Sequence, residues 1–343
     1  MKALRTSARL FLALIFSALL GSAQTSGDFD AALAEFRAGQ YASAAARFAK
    51  IEESAPARTD ALLYRAKCLV HLQEFREAEP ALRAYVQSHS RSADALYMLG
   101  FVLNREDRPA DSLAAYTQAA AIAPPSSDDL KIVGLDYVLL NDYGDAIKWL
   151  EQAVALDASN KDAWYFLGRA YYTRAQLGEA RRAFEKILAL DPNNARAENN
   201  LGLILETEGK PEAAMEAYRK AIAWQEQGSG SEQPYVNLGN LLAEQGHAQD
   251  ALEPLEKAVA LAPNDAYCHM TLGVLYRKAG DMERAKRELL RATELDPNNP
   301  RTHYQLGRLY KDLHELDRAK AEFDRTAELQ SRAAGGNRAA AKP

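Results

Sequence analysis

The chain is poor in the residue groupings on which chemistry is usually built. No nucleophile motif, phosphate-cradling glycine loop or cluster of metal ligands occurs among its 343 residues, so no catalytic residue, cofactor or metal is expected. Basic charge is not in excess either: the net charge is −5, and removing residues 1–23 takes away Lys2, Arg5 and Arg9 and no acid, leaving −8. That balance argues against nucleic acid as the main partner. The clearest uncharged run, Leu10 to Leu20, spans about 16 Å as a helix, well short of a hydrocarbon core of about 30 Å. It follows the three basic residues and precedes Gly21-Ser22-Ala23, the layout of a secretory signal peptide cut after Ala23. An exported protein, periplasmic or secreted, is expected, touching membrane only through envelope partners; an uncleaved anchor is the competing reading. Cysteine is scarce, with Cys68 and Cys268 the only two.

What the chain does have is a register. A small residue returns every thirty-four positions at Ala32, Ala66, Gly100, Gly134, Gly168 and Gly202, and after a three-residue slip at Gly239, Gly273 and Gly307. Twelve positions after each stands another: Ala44, Ala78, Ser112, Ala146, Ala180, Ala214, Ala251, Ala285 and Ala319. A large apolar residue follows four places later, among them Phe48, Tyr116, Leu150, Phe184 and Leu289. Each unit therefore reads as two amphipathic helices that approach closely where the small side chains meet. Only an array of similar units keeps such spacing. Cys68 and Cys268 fall in the second and eighth units, too far apart in such an array for a disulfide, so both are expected buried and packing between neighbours must hold the fold.

Turn chemistry falls where that reading needs it. Asp191-Pro192-Asn193-Asn194, Ala262-Pro263-Asn264-Asp265 and Asp296-Pro297-Asn298-Asn299 end one helix and offer a cap for the next. Gly209, Gly246 and Gly280 mark turns within units, where a left-handed residue closes a helix. Asp60, Asp94, Asp128 and Asp162 recur at the second place of a unit, where a negative charge offsets the helix dipole.

With these positions in view the chain resembles the tetratricopeptide repeat family. The stretch from Lys161 to Asn194 carries the motif nearly whole in Trp164, Leu167, Gly168, Tyr171, Ala180, Phe184 and Pro192, with Ile187 where the family usually has Ala. The resemblance implies an all-α fold, a right-handed superhelical α-solenoid of helix-turn-helix repeats. Nine units starting near 25, 59, 93, 127, 161, 195, 232, 266 and 300 would fill residues 24–333. A Gly/Ser insertion at 228–231 accounts for the slip, and residues 334–343 read as a disordered tail. Pro80 and Pro254 fall inside second helices and are expected to kink them. His269 and His303 hold the fourth place of adjacent units, which normally takes a large planar core residue, so core filling outweighs a metal role.

The informative surface is a stripe on each first helix, formed by the second, fifth, ninth and twelfth residues of the unit. In similar proteins that stripe lines a concave groove for extended peptides or a partner's helix. Here it presents Phe29, Phe36, Tyr97, Phe101, Tyr165, Arg169 and Tyr172 in units one to five, and Arg277, Arg301, Arg308 and Lys311 in units eight and nine. Asn200 and Asn237 share the sixth place of successive units, with Asn240 nearby; in similar proteins such amides grip a ligand's backbone. Aromatic and Arg side chains favour binding hot spots. The expected function is a non-enzymatic scaffold or adaptor that binds a protein or peptide of unknown identity in the groove. The alternative is a structural component of an envelope assembly, secretion or polysaccharide-export complex, although a last helix rich in Arg318, Lys320, Glu322 and Asp324 suits a solvated cap rather than end-to-end stacking.

Overall fold

Eighteen α-helices and no strand make up the described residues, 27–225 and 230–340, of the computed structural model. The expected signal peptide, part of the expected insertion and the last three residues lie outside them. The chain divides into two compact units, Met1–Gln176 and Leu177–Pro343. The first holds α1 (27–37), α2 (Tyr41–Ser54), α3 (Asp60–His71), α4 (Phe75–Ser88), α5 (Ala93–Arg105), α6 (Pro109–Ala120), α7 (Ser127–Leu139), α8 (Tyr143–Leu156) and α9 (Lys161–Thr173). The second holds α10 (Leu177–Leu190), α11 (Ala195–Thr207), α12 (Pro211–Trp224), α13 (Gln233–Glu244), α14 (Leu252–Leu261), α15 (Ala266–Lys278), α16 (Met282–Leu295), α17 (Pro300–Asp312) and α18 (Leu316–Ala340).

The register has a steric cause. A methyl group added at Gly100 would fall 2.6 Å from the Tyr116 ring, and one at Gly307 would fall 2.8 Å from Phe323. The large residue sixteen places on thus fills the space that a side chain on the first helix would need. In the first two pairs Ala32 and Ala66 hold the same place, both fully buried. The second set of small residues is buried throughout, including Ser112.

Caps and turns follow the sequence. Asn194, Asp265 and Asn299 accept the backbone N–H of Ala197, Cys268 and Thr302 at the starts of α11, α15 and α17. Gly209, Gly246 and Gly280 have φ of 72°, 86° and 84°, and Gln73, Asp107, Asn141, Ala175 and His314 close other helices in the same left-handed region without glycine.

Two expectations need correction. Pro80 lies inside α4, but α14 begins only at Leu252 and has 10 residues against 14 in α12 and α16. Pro254 therefore sets a late start rather than a kink. In the first turn its missing N–H is not needed, whereas extending the helix upstream would press its ring on the Asp250 carbonyl. The tail also differs: α18 continues to Ala340 through residues expected to lack structure, Gly335 and Gly336 among them.

The planar place is filled in two ways. Trp164 Nε1 donates to the Ala158 carbonyl at 2.9 Å. His269 and His303 set Nε2 3.0 Å from the Pro263 and Pro297 carbonyls, with Nδ1 2.7 Å and 2.6 Å from Glu288 and Glu322. Among the described residues no group of three or more His, Cys, Asp or Glu is placed to hold a metal ion, and no helix is long and apolar enough to cross a membrane. Cys68 and Cys268 are buried free thiols, and burial pushes them up to about 11 and about 12, which keeps them protonated at neutral pH.

Candidate functional site

In the first unit the stripe turns mostly inward. Phe29 is buried edge-on against Phe48 and Tyr64, and Phe36 packs on Tyr41, Tyr64 and His71. Tyr97 is half-buried on Tyr116, and its hydroxyl donates to the Ala123 carbonyl at 2.6 Å. Burial, with Asp129 nearby, holds its phenol above the ordinary tyrosine value. Phe101 meets Phe75 edge-on with ring centres 5.9 Å apart. Tyr165 and Tyr172 are half-buried; Arg169 is exposed and donates to the Tyr165 hydroxyl at 3.2 Å. Phe29, Phe36, Tyr97 and Phe101 thus hold neighbouring helices together, while Tyr165 meets Phe166 and Arg169 of its own helix.

In the second unit the amides are largely engaged. Asn200 is buried and donates to the Arg196 carbonyl at 2.7 Å, while Asn237 donates to the Asn199 side chain at 2.9 Å. Asn200 is thus turned into the core, while Asn237 is half-buried with one amide N–H engaged. Arg277 is likewise buried and donates to Asp312 at 2.6 Å, so it ties α15 to α17 instead of facing a partner. Arg301, Arg308 and Lys311 are exposed on α17, and no described residue forms an ion pair with them. Beside them stand two tyrosines not among the expected site residues, Tyr267 on α15 and Tyr304 on α17, 46% and 45% exposed, the second with its ring 5.8 Å from Phe323 of α18. They occupy the second and fifth places of their units, so the stripe rule already contained them.

These first helices enclose a cleft. It measures about 190 Å³, and Asn240, Glu244, Tyr267, Lys278, Arg301 and Gln305 are among its polar lining, with Met270 and Val274 at its apolar floor. Asn240 donates weakly to the Tyr267 hydroxyl at 3.3 Å. The Gln305 side-chain oxygen is buried without a hydrogen-bond partner. Two cations and one acid, Glu244, thus meet an unpaired acceptor and an exposed phenol.

Models of the tetratricopeptide repeat match residues 35–100, 137–204, 242–301 and 276–334, and a second such model matches 193–264. The chain belongs to the tetratricopeptide repeat family. No curated protein sequence matches it. Its tetratricopeptide repeat fold is shared with a protein from Parabacteroides merdae, at a TM-score of 0.61 and 18% identity over 73% of this chain and 98% of that one. A chain of the APC/C hetero-tetramer Cut9–Hcn1 aligns at a TM-score of 0.58 and 16% identity over 78% of this chain, which spans 52% of that larger protein. PilW, a type IV pilus biogenesis factor, aligns at 0.51 and 22% identity over 60% of this chain and 92% of its own length. At these identities the likeness is one of fold. Tetratricopeptide repeat arrays present extended surfaces for other chains, and this chain is a protein-interaction scaffold in that sense.

Proposed function

We propose that the protein is a non-enzymatic adaptor that docks an extended acidic segment of a partner protein across α13, α15 and α17. The observation that carries this reading is the joint exposure of Tyr267 and Tyr304 with the unpaired Arg301, Arg308 and Lys311. Exposed tyrosines bring large contact area at low entropy cost, and unpaired guanidinium groups suit carboxylates. The cleft adds the Lys278 ammonium, a second cation in the same lining as Arg301. Glu244 at one edge sets a direction, since an acidic segment would keep its carboxylates toward α17.

The test is fluorescence anisotropy of the full chain with labelled twelve-residue peptides of acidic, neutral and basic composition. Acidic peptides should bind, weaken with salt, and lose about ten-fold or more on Arg301→Ala with Arg308→Ala. Equal binding of all three compositions, or no change in the double variant, would refute the reading. We also propose that the adaptor works after export, on the strength of the basic, apolar and small-residue order of residues 1–23. Sequencing the amino terminus of the protein from fractionated cells tests this: a start at Gln24 in an exported fraction supports it, and an intact terminus in the cytoplasm contradicts it.

A further inference from the structure

Ser112 is the one member of its register that is not alanine, and the structure supplies its partner. Asp136 of α7 is wholly buried. Its Oδ1 accepts from Asn104 Nδ2 of α5 at 2.8 Å, and its Oδ2 lies 2.6 Å from Ser112 Oγ of α6. Ser112 Oγ is also 2.9 Å from the Gly100 carbonyl of α5. Asn104 and Ser112 are themselves buried, and no cation on α5, α6, α8 or α9 acts on the carboxyl. The ionisable group that senses it is the buried phenol of Tyr116 on α6, which also senses Tyr97 on α5 and Asp128 and Asp129 on α7.

A hydroxyl carries one proton. Facing a carbonyl and a carboxylate, both acceptors only, Ser112 satisfies one and leaves the other oxygen opposed to its own lone pairs. A neutral carboxyl balances the count. Asp136 Oδ2–H then donates to Ser112 Oγ, Ser112 Oγ–H donates to the Gly100 carbonyl, and Asn104 Nδ2–H donates to Asp136 Oδ1. The Gly100 carbonyl also keeps its helix bond to the Asn104 backbone, so what ionisation costs is the proton between Ser112 Oγ and one of the two oxygens it faces: only the neutral carboxyl bridges both short contacts.

We propose that Asp136 is a protonation-dependent clasp between neighbouring helix pairs, neutral and fully bonded when α7 is docked on α5 and α6, and loosened when its carboxyl ionises. Burial works in the same direction, lifting the carboxyl from 3.8 to about 6 against the Asn104 bond and against Ser112 when it donates to the ionised form. A value higher in the docked than in the unfolded chain gives stability that is complete below 3.8 and lost as pH rises through about 6. Between pH 5 and pH 8 the loss is about ten-fold in the opening equilibrium.

Hydrogen exchange of the full chain, corrected for the intrinsic pH dependence, tests the clasp. Protection of α5 to α7 should fall about ten-fold from pH 5 to pH 8 in the natural protein and hold nearly constant in Asp136→Asn, whose amide donates to Ser112 at every pH. Equal protection at both pH values in the natural protein, or an equal fall in the variant, overturns the proposal. Should the variant not fold, the carboxyl ¹³C signal of Asp136 in the natural protein decides: titration near pH 6 supports the clasp, and titration below pH 4 ends it.

Discussion

The first helices of the two units carry the same stripe with opposite outcomes. In the first unit Phe29, Phe36, Tyr97 and Phe101 lie against rings or carbonyls of adjoining helices; in the second Tyr304 also meets a ring, Phe323 of α18 at 5.8 Å, yet it and Tyr267 stand nearly half in solvent beside unpaired Arg301 and Arg308. A place in a repeat fixes the direction of a side chain. What covers it depends on what the adjoining helices bring to that side of the ring, since Tyr97 and Tyr304 each meet one ring of the next helix but only Tyr97 also bonds a carbonyl. Phe75 and Tyr116 reach the stripe of the first unit, while the cleft of the second stays open above Met270 and Val274.

That contrast can be broken at graded cost. Phe101→Ala should destabilise the chain by about 2–3 kcal/mol, less than a fully buried ring because the site is half-covered, with the loss read as a lower midpoint in urea. Asp312→Ala should cost about 2 kcal/mol by stranding the buried Arg277, while Arg308→Ala on the same helix should leave the midpoint in place. Tyr97→Phe removes only the bond to the Ala123 carbonyl and should cost about 1 kcal/mol in the same melt. Tyr267→Ala with Tyr304→Ala should cost about 1 kcal/mol or less each, since each loses only one contact, with Asn240 and Phe323 respectively, yet abolish capture of an acidic peptide. If the last pair unfolds the second unit instead, those tyrosines are core residues and the contrast fails.

The helices were legible because steric need repeats with the register: wherever a large residue must enter, the facing residue is glycine or alanine, as at Gly100 and Tyr116. The stripe was legible for the same geometric reason, and Arg301, Arg308 and Lys311 lie exposed as a stripe should. Exposure itself was hidden, because it is decided one period away. Arg277 meets Asp312 thirty-five positions on, and Asn237 meets Asn199 thirty-eight positions back. Pairing each polar residue of a unit with the neighbouring unit's residues, one period away, would have found both. The start of α14 was not legible because a proline suits either a kinked interior or a first turn, and Pro254 is the third residue of its helix.

The planar place has an optical consequence. The chain has three tryptophans, Trp149, Trp164 and Trp224, and where Trp164 holds its indole to a carbonyl, α15 and α17 use histidine. Helices α13 to α18 therefore contribute no indole emission, and a fluorescence melt excited at tryptophan follows the chain only as far as α12. Circular dichroism follows all the helices, so the gap between the two curves would time the loosening of the end that carries Tyr267 and Tyr304, with the native sequence as its own reporter.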